Sequence, residues 1–336
     1  MGGGKIGHIF EEIISLENLF VAWQEFKRGK EKKHDVQVFS LNVEDYLFAL
    51  HADLKSGSYK HGDYTAFVVC DPKRRDIHKA SVRDRVLHHA IHRIIEPIFD
   101  RVFVFDSYSS RKNKGTHAAN RRFRALAWKL SRNNTRRVWV LKADIRKFFD
   151  SVNHRILIGL LEKRLEDPRL FALLEEIIRS YRGGEGMGIP LGNLTSQLFS
   201  NVILDPFDQY VKRTLRFKYY IRYADDFVIL STNKNELELL IPFLETFLKQ
   251  ELQLDLHPRK LSIQPWHRGI DFLGYVSFPH HSVLRTKTKQ RMLKRLDTGL
   301  SEFAFQSYLG ILRHCCGDNL RKTLKAILAI EMSDVI

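Results

Sequence analysis

The chain has 336 residues, of which 44% are hydrophobic and 28% are charged, a composition typical of a folded protein with roughly one to three domains. Lysine and arginine number 55 against 39 acidic residues, and the resulting net charge of +16 indicates a polyanionic partner. No run of roughly 18 apolar residues could span a bilayer, and three cysteines, two of them adjacent, exclude a disulfide framework and a zinc ribbon, so we expect a cytoplasmic protein without a membrane partner.

Apolar periodicity predicts helices in the first part of the chain. Residues 10–28 predict a single helix, and Asn42 resembles the cap of a second helix that ends near Leu54. A third helix is expected over residues 84–99, with its end near Pro97 because proline lacks the donor that a helix interior needs.

Strands and helices alternate in the rest of the chain. A buried strand is predicted over residues 138–145, a hairpin over residues 219–230 and a strand pair over residues 270–278. Asp167-Pro168 predicts a cap and a first-position proline for a helix at residues 168–184. Further helices are expected at residues 193–215 with a bend at Pro206, 235–252, and from Lys287 onward. This order predicts an antiparallel sheet with helices on one face, and hence an α+β fold.

The positive charge is concentrated in one block. Residues 107–143 contain eleven lysines and arginines and no acidic residue, with Tyr108, Phe123, Trp128 and Trp139 between them. A block of one sign with interleaved aromatic residues favours a nucleic-acid path over a solvated surface, which usually mixes signs. Charge alone leaves ribosomal, membrane-surface and polymerase functions open.

Three carboxylates lie at the ends of predicted strands. Asp144 ends an apolar strand, and Asp225 and Asp226 occupy the hairpin tip. An isolated Asp-Asp pair is more often turn chemistry, but here two apolar strands fix the tip. Three acids converging at one sheet edge would form an oxygen-ligand site for two Mg²⁺ ions, which together stabilise an in-line phosphoryl displacement. The residues therefore predict nucleotidyl transfer, in which a primer 3′-hydroxyl attacks the α-phosphate of a nucleoside triphosphate.

Six short motifs occur in a fixed order. Two carry the carboxylates: Lys142-Ala143-Asp144-Ile145-Arg146-Lys147-Phe148-Phe149-Asp150-Ser151 and Tyr223-Ala224-Asp225-Asp226. The others lie at residues 71–90, 105–115, 258–260 and 272–275. Together they resemble the motifs of reverse transcriptases of the group II intron and retroelement class, over about residues 41–324.

This resemblance implies a right-hand polymerase fold. The implied division is an N-terminal helical extension at residues 1–60, fingers at 61–137, a palm with an antiparallel sheet at 138–279, including fingers-proximal helices at 153–190, and a helical thumb at 280–336.

The resemblance also implies the metal ligands. Asp144 and Asp225 would ligate both Mg²⁺ ions, for which Mn²⁺ could substitute. Asp226 would assist, and the carbonyl of Ile145 would be a further ligand.

Contacts with the substrates are implied in the same way. Phe149 would pack against the incoming sugar and select dNTPs, whereas core packing is the alternative; adjacent Phe148 and Phe149 cannot face the same side, so one of them serves the core. For Lys260, a role at the pyrophosphate and a solvated loop position stand equal. The other implied dNTP contacts are Arg74, Arg75, Arg111, Lys114, Leu191 and Gly192. The implied template or primer contacts are Asn193, Ser196, Gln197, Tyr223, Gly274, Lys287, Lys289 and Arg291.

One segment indicates a subfamily. Leu191-Gly192-Asn193-Leu194-Thr195-Ser196-Gln197 stands where most reverse transcriptases have Gln-Gly-x-x-x-Ser-Pro. The altered pattern resembles reverse transcriptases of bacterial, archaeal and phage diversity-generating retroelements, which copy a template RNA into cDNA with errors at template adenines and work with a small basic accessory variability determinant protein. Replacing the amide by leucine removes hydrogen bonds worth ~1–3 kcal/mol of discrimination, a physical route to low fidelity.

Two other functions remain open at this point. A retron, intron-derived or phage-defence reverse transcriptase would share the chemistry, but the altered Leu191 and Gln197 positions disfavour it. A catalytically dead nucleic-acid-binding scaffold is disfavoured by the intact acids.

Overall fold

The computed structural model describes residues 6–70, 74–181, 184–297, 302–317 and 320–322. Its helices are α1 (Phe10–Ile14), α2 (Leu16–Lys27), α3 (His34–Leu41), α4 (Val43–Ser56), α5 (Val82–Asp100), α6 (Thr116–Leu130), α7 (His154–Glu162), α8 (Pro168–Arg179), α9 (Leu194–Gln209), α10 (Lys234–Leu252), α11 (Thr286–Asp297) and α12 (Glu302–Leu312). Its strands are β1 (Thr65–Val69), β2 (Arg75–Lys79), β3 (Trp139–Asp144), β4 (Tyr220–Tyr223), β5 (Asp226–Ser231), β6 (Ser262–Pro265), β7 (Ile270–Phe272), β8 (Tyr275–Ser277) and β9 (Ser282–Leu284). Within these ranges, no helix combines the length and apolar character of a membrane span.

The strands form three antiparallel sheets, which confirms the predicted α+β class. The central sheet has the order β4-β5-β3-β6, and the other two are β1-β2 and β7-β8-β9. The predicted strand pair at residues 270–278 is present, but it forms a sheet with β9 instead of joining the central one.

Helices cover both faces of the central sheet, so the expectation of helices on one face was wrong. Along β5, Phe227 and Ile229 point into the core shared with α5, α9 and α10. Val228 and Leu230 point into a second core with Phe123 of α6. A strand buried on both faces needs such a continuous apolar run, which the sequence has.

Local capping explains where several helix ends differ from the prediction. The expected helix over residues 10–28 is interrupted at Ser15, whose hydroxyl accepts a hydrogen bond from the Asn18 amide and starts α2. Asn42 precedes α4, but its side chain makes no capping bond. Helix α5 continues through Pro97 to Asp100, because burial of its apolar side outweighs the loss of one backbone hydrogen bond.

The predicted cap at Asp167 is confirmed, since its carboxylate accepts hydrogen bonds from the Arg169 and Leu170 amides at the start of α8. This helix ends at Arg179, short of the expected Gly184. The neighbouring Gly183 lies outside the described residues. After α9, which contains Pro206, the chain continues as a π-helical turn to Thr214. This irregular turn lies within residues 193–215, for which a bent helix was predicted.

Candidate active site

Two strands of the central sheet bring the predicted carboxylates to one edge. Asp144 ends β3 and is directly opposite Asp226, the first residue of β5. Opposed residues of an antiparallel pair project from the same face, so these two side chains are neighbours. Asp225 lies in the turn between β4 and β5, where Ala224 has a φ of 52° and the Asp225 carbonyl accepts a 3.2 Å hydrogen bond from the Ile145 amide.

Negative charge accumulates at this edge. Burial, followed by the charge of Asp144, raises the pKa of Asp225 to about 6. Burial also raises the pKa of Asp226, although the nearby Lys142 opposes the shift. The protein's own cations therefore neutralise this cluster only in part.

Lys260 is one of those cations. Its ammonium lies 2.7 Å from Oδ1 of Asp144, and the Asp144 carbonyl holds the same loop through a 2.7 Å hydrogen bond from the His257 amide. The Lys260 side chain is 42% exposed and therefore partly solvated, but its ammonium is paired with Asp144. In the described part of the chain, no three histidine, cysteine or acidic side chains are grouped closely enough to hold a metal ion.

A buried network supports the turn from behind. The guanidinium of Arg222 pairs with Asp208 at 2.7 Å, and neither side chain is exposed. Arg222 also donates to the Ala224 carbonyl at 3.1 Å and to the Ser107 hydroxyl at 3.1 Å. Sequence reasoning missed this residue, although an arginine inside the apolar run before Asp225 was a visible signal.

The loop before α9 is tied to strand β2. The His78 amide donates to the Leu191 carbonyl at 3.1 Å, and the Asn193 side chain donates to the His78 carbonyl at 3.1 Å. Gly192 has a φ of 115°, and a Cβ there would lie 2.9 Å from Cγ2 of Ile77. The positive φ and the Ile77 side chain packed against this position explain the glycine.

The predicted contacts after Gly192 and next to β2 differ in their exposure. Asn193 and Ser196 are buried, so their expected contact with template or primer is not supported, whereas Gln197 is exposed. Arg74 and Arg75 are exposed next to β2, and residues 71–73 of their motif lie outside the described residues.

Two expected triphosphate contacts are engaged elsewhere. The Arg111 side chain is 6% exposed and donates to the Asp100 carboxylate and the carbonyls of Val104 and Ser107. Lys114 donates to the Phe105 carbonyl at 2.7 Å. The expectation that Arg111 grips a triphosphate is not supported, because its guanidinium is buried and bonded within this segment, whereas Lys114 uses one of its three donors there.

Two expectations about aromatic residues can be compared with burial. Phe148 is 2% exposed and belongs to the core, whereas Phe149 is half-buried, which confirms that one of the pair serves the core. In the basic block, Tyr108 and Phe123 are buried in the second core, so they are not available for a nucleic-acid path.

The remaining predicted residues lie around β7–β9 and α11. Tyr223 accepts a hydrogen bond from the Thr116 hydroxyl, and Gly274 has a φ of 88° in the turn between β7 and β8. On α11, Lys287 and Lys289 are exposed, whereas Arg291 is half-buried.

Comparison with known proteins identifies the family. The sequence profile described as "Reverse transcriptase (RNA-dependent DNA polymerase)" matches residues 60–277. The chain belongs to this reverse transcriptase family. Protein YkfC of Escherichia coli K12 is 28% identical to this reverse transcriptase over 265 residues, covering 67% of each chain. The group II intron-encoded protein LtrA of Lactococcus lactis is 20% identical over 305 residues, covering 69% of this chain and about half (49%) of LtrA.

A solved structure shows the same fold. The telomerase of Candida albicans in complex with a fragment of telomeric RNA superposes with a TM-score of 0.53 at 11% identity, covering 89% of this chain and 59% of that one. This similarity confirms the right-hand polymerase fold.

Proposed function

We propose that this reverse transcriptase copies a template RNA into error-containing cDNA for targeted sequence diversification, by two-metal nucleotidyl transfer. The observation that carries the polymerase assignment is the register that sets Asp144 opposite Asp226 beside the Asp225 turn. Reverse transcriptases use divalent metal ions, and carboxylate oxygens with unneutralised charge are the donors that Mg²⁺ prefers.

The proposed metal ligands are the carboxylates of Asp144, Asp225 and Asp226 and the carbonyl of Ile145. Their oxygen donors fit two Mg²⁺ ions, with Mn²⁺ as a substitute. The pKa of Asp225 is raised because its negative form is buried beside Asp144, and a bound cation would stabilise that negative form. When bound, such ions neutralise charge at the reacting phosphate. We propose that Lys260, which lies beside Asp144, holds a proton near the departing pyrophosphate.

The remaining proposals concern the domains and the contacts with substrates. We propose a helical extension at residues 1–60, fingers at 61–137, a palm at 138–279 and a thumb at 280–336. Phe149 excludes a ribose 2′-hydroxyl. Arg74, Arg75, Leu191 and Gly192 contact the dNTP, and Gln197, Tyr223, Gly274, Lys287, Lys289 and Arg291 contact template RNA, primer or cDNA.

Primer extension on an RNA template with Mg²⁺ and dNTPs tests the polymerase. The Asp225→Ala, Asp226→Ala double substitution should abolish extension while RNA binding persists, and Glu238→Gln on the exposed side of α10 is the matched control for loss of charge. Persistent extension in the double variant would refute the metal assignment. A wild-type protein that binds RNA but never extends a primer would favour the scaffold alternative.

The diversification role rests on the Leu191–Gln197 segment and includes a small basic accessory variability determinant protein as partner. Sequencing of cDNA made with that partner tests it: errors concentrated at template adenines are expected, and errors spread evenly over four bases would contradict it. The intron-derived alternative is favoured by the relationship to LtrA. It would be supported if the chain copied its template with high fidelity and needed no basic partner.

A further inference from the structure

An exposed aromatic ring lies among cations, two residues before the basic block begins. Phe105 is 63% exposed, in contrast to the buried Tyr108 three residues later. The Lys114 ammonium lies 3.4 Å from the centroid of the Phe105 ring, and the Arg122 guanidinium lies 5.3 Å from it. Because Lys114 also donates to the Phe105 carbonyl, its charge is held in place beside the ring.

The net charge around the Phe105 ring remains positive after the ion pairs within the protein are taken into account. Asp106 is buried and accepts hydrogen bonds from both Arg122 and Lys212 at 2.8 Å, so one carboxylate is shared by two cations. The Lys114 ammonium is bonded to a carbonyl instead of a carboxylate, and the Asp106 and Asp100 carboxylates act on it only from a greater distance. Residues 107–143 add no acid to the neighbourhood in sequence.

This surface lies away from the carboxylates. Ser107 pairs in parallel with Arg222, so the segment runs alongside β4 in the same direction. Phe105 lies in the turn two residues before this pairing, whereas Asp225 follows Arg222 by three residues, so the two lie on opposite sides of the Ser107–Arg222 pairing along the strand direction.

We propose that Phe105, Lys114 and Arg122, here called the Phe105 surface, bind a single-stranded stretch of RNA outside the catalytic edge. An exposed ring can stack on an unpaired base, and fixed cations beside it can contact the adjoining phosphates. Bases inside a duplex are already stacked, so the surface favours unpaired RNA. The inference rests on the proposed function only in taking RNA as the ligand.

The chain offers a matched control. Phe243 on α10 is 56% exposed, close to the value for Phe105, but its helix carries four glutamates and two lysines. Phe105→Ala and Phe243→Ala therefore remove rings of similar exposure, whereas the charge around the two rings differs.

Fluorescence anisotropy with a labelled, unstructured single-stranded RNA tests the proposal. Phe105→Ala should weaken binding about tenfold, Lys114→Ala should lower the slope of log affinity against log salt by about one, and Phe243→Ala should bind as the wild type does. Circular dichroism and melting temperature establish that each variant is folded. Unchanged affinity in Phe105→Ala, or an equal loss in Phe243→Ala, overturns the assignment.

Extension of a short primer–template separates this inference from the proposed function. Phe105→Ala should keep wild-type extension on a template whose single-stranded overhang is one nucleotide long, too short to reach the Phe105 surface. If the wild type fails to extend but Phe105→Ala still loses RNA affinity, the polymerase proposal fails and the Phe105 surface stands. A loss of short-template extension equal to the loss of RNA affinity would count against a separate surface.

Discussion

Arg222 and Asp208 form a fully buried ion pair, with Nη2 and Oδ2 2.7 Å apart, behind the turn that carries Asp225. Arg222→Met should lower the free energy of unfolding by ~3–5 kcal/mol, because it leaves a buried carboxylate without its cation. Urea denaturation measures this loss. Lys234→Ala, which breaks an exposed pair with Glu238, should change stability by less than ~1 kcal/mol.

The double variant Arg222→Met, Asp208→Leu distinguishes pairing from packing. Since no charge is left unpaired, it should be less destabilised than the sum of the two single variants. Simple additivity would show that the two residues do not act as a pair.

At the proposed metal site, Lys260 should compete with a divalent cation for Asp144. Lys260→Gln removes the ammonium 2.7 Å from Oδ1 of Asp144 and should tighten Mn²⁺ binding about fivefold, as expected for a partly exposed ion pair. Electron paramagnetic resonance titration of Mn²⁺ measures this directly. The control is Lys249→Gln on the exposed side of α10, and weaker Mn²⁺ binding in Lys260→Gln would show that the lysine supports the cation site.

Gly192 and Gly274 form a second matched pair, since both have a positive φ but only Gly192 lacks room for a Cβ. Gly192→Ala should reduce extension much more than Gly274→Ala, because its new Cβ pushes Ile77 and the fingers-side strand β2 away from the loop before α9. Steady-state single-nucleotide incorporation measures the effect. Adding Ile77→Ala, which removes the clashing Cγ2, should restore part of the rate; no recovery would indicate that backbone strain alone is responsible.

Phe149 is expected to select the sugar. Phe149→Ala should raise incorporation of ribonucleotides relative to deoxyribonucleotides about tenfold or more, measured by competing single-nucleotide incorporation. Phe148→Leu is the control, because that ring is buried: it should lower the melting temperature without changing the sugar preference. An unchanged preference in Phe149→Ala would assign this ring to packing.

Histidines on α5 make stability depend on pH. Burial lowers the pKa of His89 and of His92 to about 4, and burial lowers that of His88 well below its usual value. Unfolded imidazoles titrate near pH 6.5, so below this pH the unfolded state binds protons that the folded state does not. Stability should therefore fall from pH 6.5 toward pH 4, by at most ~1.4 kcal/mol per pH unit for each proton.

Thermal melts at several pH values check this dependence. The His89→Gln, His92→Gln variant should show a flatter fall of melting temperature below pH 6.5 than the wild type. Replacement of the exposed His34 by Gln is the control and should leave the slope unchanged. An unchanged slope in the double variant would assign the acid sensitivity to other groups.

The parts of the fold predicted from the sequence are those with a strong local signal. The apolar runs of β3 and β5, the Asp-Pro cap of α8 and the hairpin around Ala224 were all found because each is encoded within a few residues. Strands β1 and β2 were missed, because their largely exposed residues show no apolar alternation.

The site was predictable in its acids but not in its surroundings. The pairing of Lys260 with Asp144 joins residues 116 positions apart, and the bonds of Arg111 depend on how a loop folds back on α5. Neither contact leaves a periodic pattern in the sequence. The basic block was interpreted as one nucleic-acid path, but packing buries its Tyr108 and Phe123 rings, and the exposed Phe105 lies just before it.

Strand β4 is the outermost strand of the central sheet, and residues 106–108 cover its open side through the Arg222 amide and carbonyl. An uncovered outer strand invites pairing with a neighbouring molecule. During synthesis, a chain whose 106–108 segment has not yet docked therefore exposes the unpaired edge of β4 to other molecules. Substitutions that delay this docking should reduce recovery of native protein and increase sedimenting material, even where the finished enzyme would tolerate them.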